Sequence, residues 1–292
     1  MKFSVATPVF NGWPQIRRCV GSVRGQTGVA VRHIVQDGGS TDGGASWLRA
    51  QADLDFRCEP DAGMYDAISR CWARADGEVL SWLNADEQYL PGALATVARS
   101  FAQHPQVQIV YGQSIIVTGE GEPLAARRDL PMNHFLIRNT FLNVYSCALF
   151  FRRSLGDQGL LRFCPDYRCA GDMDLILRLL SHRVPALRLP DYLALFGVDG
   201  RNLGTAPRMV EETQAIQKEH GGFRQPWVRR AIQVIRWLLR LAAGHYRAQQ
   251  VAFALALDDV PTYRHFDSVR LGSRFDIQDY ARERRESLPR AR

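Results

Sequence analysis

The chain has 292 residues, of which 46% are hydrophobic and 23% are charged, which is typical of a soluble globular protein with one large domain or two smaller ones. The longest apolar stretch near the C-terminus, residues 251–257, is too short for a membrane span, which excludes a transmembrane anchor there. The net charge is +7, and residues 221–292 carry all of it, with 14 arginines and 7 acidic residues. We therefore predict a neutral domain over residues 1–220 and a basic extension over residues 221–292.

The first 110 residues alternate between strand and helix patterns. Strands are predicted at "KFSVAT", "AVRHIVQ", "DFRCE" and "EVLSWL", and helices at "WPQIRRCVGSVRGQ", "GGASWLRAQ", "GMYDAISRCWARA" and "PGALATVARSFAQ". This alternation predicts an α/β fold, with a mostly parallel sheet and helices on both faces. Later come short strands around a Glu-Gly-Glu turn, the strand "SCALFFRR", the amphipathic helix "CAGDMDLILRLLSHR" and the extended segment "ALRLPDYLALFGVDG".

Six cysteines are scattered at irregular intervals through the chain. They form no Cys-x-x-Cys pair and no histidine cluster accompanies them, so a zinc site is not expected. Scattered thiols in apolar segments favour a reducing compartment, and we expect the protein in the cytoplasm.

Three loops follow predicted strands of the parallel sheet: "TPVFNG", "QDGGSTDGG" and "NADE". Ligands of such sheets bind beyond the carboxyl ends of the strands, so the three loops together predict a binding site at one edge. In the second loop, Asp42 precedes a helix and is expected to cap it. Asp37 lies directly at the strand end, where we expect no cap, and a ligand contact is the favoured interpretation.

The "NADE" turn has two interpretations. It is either a solvated turn before a helix that begins near Pro91, or a site for a hard divalent cation. Asp86, with Asn84 and Glu87 beside it, suits Mg²⁺ or Mn²⁺ that also holds a diphosphate. The turn by itself leaves both interpretations open.

Two acids, Asp172 and Asp174, open the helix "GDMDLILRLL". Acids in a first helical turn are favourable through the helix dipole and through capping, whatever their function. Because the two lie only two positions apart, they point to different sides of the helix. We expect one to cap and the other to face the edge of the sheet.

The order and spacing of these motifs resemble the family 2 glycosyltransferases, which have the nucleotide-sugar-binding GT-A fold. The resemblance covers roughly residues 1–200 and lies in "SVATPVFNG", "VQDGGSTDGG", "EPDAGMYDAIS", "GEVLSWLNADEQYLPGAL", "YG", "ALFFRRSL" and "AGDMDLILRLL". Within the family, the chain is most similar to bacterial enzymes that add single sugars to surface-polysaccharide repeat units. The resemblance implies that "NADE" is the family's Asp-x-Asp turn, which binds a divalent metal on the donor diphosphate.

The resemblance also implies roles for individual residues. Asp172 corresponds to the general base, and Asp86 holds the metal with Glu87 in support. The nucleotide-sugar donor is expected to contact Pro8, Val9, Phe10, Asn11, Asp37, Asp61, Asn84 and Ala85.

The chain departs from the family pattern at several positions. Asn84 replaces the first acid of the metal turn, and Gly38 follows Asp37 where many members have a second acid. Gly171 replaces the Glu that usually precedes the base, and Tyr145 and Ser146 stand where close relatives often have His-Gln.

The expected function is inverting transfer of a single sugar from a nucleotide-diphosphate donor, expected to be UDP-linked, to a hydroxyl of a saccharide or lipid-linked saccharide. Two alternatives remain open. A nucleotidyltransferase would have a glycine-rich basic loop after the first strand, which "TPVFNGWP" lacks. An inactive or binding-only relative is suggested by Asn84. Nucleic-acid binding is not expected, because the C-terminal arginines lack interleaved aromatic residues.

Residues 226–257 are predicted to form amphipathic helices. Their "QVIRW" matches a signature of processive members, but helical periodicity explains the same residues. The apolar stripe comprises Trp227, Ala231, Val234, Ile235, Leu238, Leu241 and Ala242, and the opposite face has Arg229, Gln233, Arg236, Arg240 and Arg247. The stripe either enters an anionic membrane surface, which would place the protein at the inner membrane face, or packs on the catalytic domain. The end, "ARERRESLPRAR", is expected to be disordered.

Overall fold

The computed structural model describes residues 1–200 and 202–287. The strands are β1 (Lys2–Val9), β2 (Ala30–Asp37), β3 (Asp55–Cys58), β4 (Val79–Trp82), β5 (Gln88–Tyr89), β6 (Ile109–Thr118), β7 (Pro123–Arg127), β8 (Leu149–Arg152), β9 (Ala186–Val198), β10 (Gln249–Ala256) and β11 (Tyr263–Leu271). The helices are α1 (Gln15–Arg24), α2 (Gly44–Arg49), α3 (Met64–Ala73), α4 (Ala93–Gln103), α5 (His134–Asn139), α6 (Ser154–Asp157), α7 (Gly171–Ser181), α8 (Pro207–Glu219), α9 (Pro226–Ala242) and α10 (Ile277–Ser287).

Nine strands of the described residues form one sheet, in the order β3-β2-β1-β4-β8-β6-β9-β5, with β7 paired to β6. The block β3-β2-β1-β4 is parallel, β8 runs antiparallel to both of its neighbours, and β6 and β9 are parallel. Successive residues of β1 point to opposite faces, so that Val5 packs with α1 and α4 while Ala6 packs with α3 and α7. The predicted α/β architecture with helices on both faces is confirmed.

The prediction of helices throughout residues 226–257 is wrong for Gln249–Ala256, which form β10. This strand pairs antiparallel with β11, and the alternating residues Val251, Phe253 and Leu255 pack with Leu90 against the main sheet. An apolar run in which a large side chain returns at every second residue is a strand pattern, and here it outweighs the helical pattern that precedes it. The boundary at residue 220 stays a prediction.

The end of the chain also differs from its expectation. Helix α10 continues to Ser287, so the prediction of disorder is wrong for residues 281–287. Residues 288–292 lie outside the described residues. No helix in the described ranges is long and apolar enough to cross a membrane.

Helix α9 lies on the protein with its charged face inward. Arg236 and Arg240 are only 4% and 6% exposed, and they follow the buried Ile232 at intervals of four residues on the same face of the helix. The apolar stripe faces outward instead, with Trp227 at 74% exposure and Leu238 at 50%. The alternative in which the stripe packs on the catalytic domain is therefore wrong, because the opposite face makes that contact.

Candidate functional site

A cavity of about 1380 Å³ opens at the carboxyl ends of β1 and β4. It is lined by the loops after β1, β3 and β4, by the start of α7 and by residues of the basic extension. Nine of the residues singled out from the sequence line it: Pro8, Val9, Phe10, Asn11, Asp61, Asn84, Ala85, Asp86 and Asp172. Asp37 and Glu87 are not among its lining residues.

The loop after β1 is tied to both neighbouring loops. The Asn11 amide donates to Ser40 Oγ at 2.8 Å, and the Thr41 amide donates to Asn11 Oδ1 at 2.9 Å. On the other side, a Cβ added to Gly12 would come within 2.8 Å of Ala85 Cβ. The loop after β1 therefore packs against both of the other loops that were predicted to meet it at one edge of the sheet.

Asp37 stabilises the loop after β2 and does not line the cavity. The side chain is fully buried, and its Oδ1 accepts hydrogen bonds from the Gly39 and Ser40 amides at 2.8 and 2.7 Å. The expectation that an acid at this strand end has nothing to cap is therefore wrong. A Cβ on Gly38 would lie 3.0 Å from Asp61 Oδ2, so the loop reaches the cavity wall. A donor contact by Asp37 stays a prediction.

Asp42 connects the loops after β1 and β2. One carboxylate oxygen accepts from the Trp13 amide at 2.8 Å, and the other accepts from the Gly44 amide at the start of α2, at 3.0 Å. The N-cap residue of α2 is Gly43 and not Asp42, but Asp42 accepts from the first free amide of the helix, so the expected capping is confirmed for this one amide.

The turn after β4 is closed by Glu87. Its Oε2 accepts from the Asn84 amide at 2.8 Å, and the Glu87 amide donates to the Asn84 carbonyl at 3.0 Å. Burial, followed by the charge of Asp86, raises the pKa of Glu87 well above its ordinary value. A fully solvated turn is excluded by the burial of Glu87, which is 1% exposed.

Asp86 is the acid of this turn that lines the cavity, where Asn202 Nδ2 donates to its Oδ2 at 3.3 Å. Beside it, Asn84 Oδ1 is buried and accepts no hydrogen bond. In the described part of the chain, no group of three or more His, Cys, Asp or Glu side chains is placed to hold a metal by itself. Mg²⁺ commonly takes one or two carboxylates and completes its coordination with water and substrate phosphates. Asp86 and the unpaired oxygen of Asn84 fit a site of that kind.

Asp172 and Asp174 have different surroundings, as their spacing predicted, but Asp174 does not cap α7 and pairs with other side chains instead. Asp172 lines the cavity, and its Oδ1 accepts from the Met173 amide at 2.8 Å and from the Tyr65 hydroxyl at 3.2 Å. Burial raises the pKa of Asp172 to about 6, against the lowering effect of these two bonds. The chain thus places a carboxyl group that gains and loses a proton near neutral pH inside the cavity.

Asp174 points away from the cavity into the protein. It is 3% exposed and accepts from Arg178 Nε at 2.9 Å and His220 Nε2 at 3.0 Å. Burial tends to raise the pKa of Asp174, but the bonds from His220 and Arg178 hold it below its ordinary value. Asp174 anchors α7 and is not part of the cavity wall.

Glu212 on α8 fixes the segment that leads into the site, although sequence analysis did not identify it. Its carboxylate accepts from the consecutive amides of Arg168, Cys169 and Ala170 at 2.8 to 3.0 Å. These residues lead directly into α7 and so into Asp172. No local motif marks Glu212, because its partners lie more than 40 positions earlier in the chain.

The protein-family description "Glycosyl transferase family 2" matches residues 4–159. A protein of Mycobacterium bovis (strain BCG / Pasteur 1173P2), named PGL/p-HBAD biosynthesis glycosyltransferase, is 30% identical over 192 residues, which are 63% of this chain and 71% of that protein. An uncharacterized protein of Mycobacterium tuberculosis (strain CDC 1551 / Oshkosh) is 33% identical over 112 residues, and the match covers 37% of this chain and 34% of that protein.

Two solved structures share the fold. S. aureus TarS 1-349 in complex with UDP-GlcNAc has a TM-score of 0.58 at 16% identity, covering 83% of this chain and 73% of that one. The mannosyltransferase PcManGT from Pyrobaculum calidifontis, in complex with GDP-Man and Mn²⁺, has a TM-score of 0.53 at 19% identity, covering 83% and 75%. The family match spans more than half of the chain, which therefore belongs to glycosyl transferase family 2.

Proposed function

We propose that the protein is a metal-dependent, inverting glycosyltransferase that moves one sugar from a nucleotide-diphosphate donor to an acceptor hydroxyl. The observation that carries the proposal is that Asp86 and Asp172 line one cavity with the loop after β1. Family membership supports glycosyl transfer. Support for a nucleotide-sugar donor comes from the two solved structures of the same fold, one in complex with UDP-GlcNAc and the other with GDP-Man and Mn²⁺. We propose a UDP-linked donor, as in the first of these two structures.

The cavity divides the chemistry between two carboxylates. Asp86 and Asn84 would hold a divalent cation, which supplies positive charge against the departing diphosphate. Asp172, ionised above a pKa of about 6, takes the proton of the acceptor hydroxyl as that oxygen attacks the anomeric carbon. Attack on the face opposite the diphosphate inverts the anomeric configuration. The loop after β1 and Asp61 bind and orient the nucleotide.

The acceptor is proposed to be a lipid-linked saccharide at the inner membrane face, in polysaccharide or O-antigen-type biosynthesis. Helix α9 supports this location, because its outward face is apolar and includes the exposed Trp227 and Trp237. Residues 221–257 contain six arginines and no acidic residue, and three of these arginines, Arg224, Arg230 and Arg247, are exposed, which suits an anionic lipid surface. The same basic charge on two copies would oppose pairing of α9 with a second α9.

The catalytic proposal is tested with a panel of nucleotide sugars, measuring donor hydrolysis and transfer in the presence of Mg²⁺ or Mn²⁺. We expect one nucleotide sugar to be turned over by the wild-type protein and not by Asp172→Asn. Nucleotide binding without turnover of any donor would instead indicate a binding-only relative. Arg264→Gln, on the exposed hairpin far in sequence from the site loops, serves as a matched control.

The membrane proposal is tested by co-sedimentation with vesicles of neutral or anionic phospholipid. Transfer of a half-exposed Leu to the interface stabilises binding by about 1.5 kcal/mol, so Leu238→Glu should weaken vesicle binding about tenfold or more. Val260→Glu introduces the same charge at an exposed apolar position outside α9 and should bind like the wild type. If the wild type binds neither vesicle type, or if it forms dimers that Leu238→Glu dissociates, the membrane assignment is wrong.

A further inference from the structure

Three arginines surround one carboxylate beneath α9. Asp129 lies 3.3 Å from Arg127 Nη2, 3.0 Å from Arg236 Nη2 and 3.5 Å from Arg240 Nε. We call these four residues the arginine cluster. The side chain of Asp129 is 4% exposed and those of the arginines are 14%, 5% and 8% exposed. The cluster is therefore largely removed from water.

The charges of the arginine cluster do not balance. In the described part of the chain, none of its three arginines forms an ion pair with a carboxylate other than Asp129. Three guanidinium groups against one carboxylate leave two positive charges uncompensated. Burial lowers the pKa of both Arg236 and Arg240, because their charged forms lose hydration there. Buried charges without partners are costly, so a site of this kind favours an anion.

The arginines differ in how many hydrogen bonds they donate to other groups of the protein. Arg236 donates to Asp129, to Thr140 Oγ1 at 2.7 Å and to the Phe141 carbonyl at 3.1 Å. Arg240 donates through Nη2 to the Arg128 carbonyl at 3.2 Å, while its Nε is buried and makes no hydrogen bond. Arg236 therefore holds the cluster in place, whereas the Nε of Arg240 faces Asp129 at 3.5 Å without a hydrogen bond, so the protein holds Arg240 less fully.

Arg127 and Arg240 also line the same cavity as Asp86 and Asp172. Tyr145 is also part of the lining of this cavity. The arginine cluster thus provides a positively charged wall to a cavity whose other charged lining includes the two catalytic carboxylates. The donor diphosphate is assigned to the turn after β4, which leaves this wall for another group.

We infer that Arg127 and Arg240 form an anion-binding subsite for a phosphate group carried by the acceptor. The uncompensated positive charge suits the negative charge of a phosphate group, and guanidinium groups bind phosphate oxygens in a fork-like geometry. The inference rests on the proposed function, in which the acceptor is linked to a lipid. Because α9 exposes its apolar face outward and places Arg240 inward, one helix would contact both the bilayer and the linking phosphate.

The inference is tested by calorimetry with n-hexyl phosphate, using protein saturated with UDP and Mg²⁺ so that the donor site is filled. The wild type is expected to bind one n-hexyl phosphate, and n-hexanol is the uncharged comparison. Arg127→Gln and Arg240→Gln should each weaken phosphate binding about tenfold or more, because each removes a charge-assisted hydrogen bond. Arg247→Gln removes the same charge from an exposed position after α9 and should leave binding unchanged.

Two variants are used so that the test still has an outcome when one of them does not fold. If Arg240→Gln does not fold, the more exposed Arg127→Gln still decides the outcome. Unchanged binding of n-hexyl phosphate by the folded variants overturns the inference, as does binding of n-hexanol equal to that of the phosphate. UDP titration is read separately, so a failure of the wild type to bind UDP contradicts the proposed function and not the subsite.

Vesicles distinguish an acceptor phosphate from a lipid headgroup. Arg127→Gln should bind phosphatidylglycerol vesicles as the wild type does, because Arg127 faces the cavity. If Arg127→Gln loses vesicle binding and the wild type does not bind n-hexyl phosphate, the cluster binds headgroups and the inference is overturned.

Discussion

The hydrogen bond between Tyr65 and Asp172 allows a direct test of the proposed general base. Tyr65→Phe removes a 3.2 Å bond that lowers the pKa of Asp172, whose value is about 6 because burial raises it. A hydrogen bond to a charged group contributes about 1.5 kcal/mol at the weak end, which corresponds to roughly one pKa unit. Tyr65→Phe should therefore shift the pKa of Asp172 upward by up to about one unit.

The sign of the effect on rate follows from the role of the base. Only ionised Asp172 accepts the acceptor proton, so kcat/KM should rise tenfold per pH unit below about 6 and level off above it. In Tyr65→Phe the same rise should continue to about pH 7. At pH 6 the variant should then lose up to about fivefold in kcat/KM, and the loss should approach tenfold at pH 5, while at pH 8 the variant approaches the wild type.

The assay is the pH dependence of kcat/KM for transfer between pH 5 and pH 9, with donor binding measured at each pH. Tyr167→Phe is the matched control, because Tyr167 donates to Glu219 and is not part of the cavity lining. A downward shift of the rise in Tyr65→Phe, or a wild-type profile without a rise between pH 5 and pH 7, would refute the assignment of Asp172 as the base.

Three further predictions address the neighbouring acids. Asp172→Asn should lower kcat about 10²–10⁴-fold with donor binding retained, and the same pattern in Asp174→Asn instead would exchange their roles. Asp86→Ala should abolish transfer and metal-dependent nucleotide binding, whereas full wild-type activity in EDTA would contradict the metal assignment. Glu212→Gln should lower kcat while UDP binding persists, and it should cost about 1.5–3 kcal/mol of stability at neutral pH, since three amides lose a charged acceptor. Backbone hydrogen bonds hold the pKa of Glu212 below its ordinary 4.5 against the effect of burial, so this stability is lost as the pH falls below that value. A difference in melting temperature from the wild type that persists unchanged at pH 3 would argue against this origin.

Much of the site follows from the sequence because its residues lie where strands end. The alternation of strand and helix patterns predicts the parallel block β3-β2-β1-β4, and a parallel block brings the loops after its strands to one edge. Asp86 was found in this way and Asp172 as an acid in the first turn of a helix, with the family resemblance supplying the roles of both. Both line the cavity.

The tertiary structure decides which acids line the cavity and which stabilise the backbone of its loops. Asp37 and Glu87 occupy the same motifs as their neighbours, but hydrogen bonds to the loop and the turn withdraw both carboxylates from the cavity wall. Glu212 is invisible to local patterns, because the three amides that it binds come together with it only when α8 packs beside the start of α7.

Helix α9 shows the same division most clearly. Its periodicity determines an apolar stripe and a basic face, but the periodicity does not determine which of the two faces packs on the protein. Burying the basic face requires a carboxylate for Arg236, and that carboxylate is Asp129, which lies 107 positions earlier in the chain. The sequence alone therefore determined that α9 has two faces. The ion pairs with Asp129, formed only in the folded chain, decided that the apolar one is exposed.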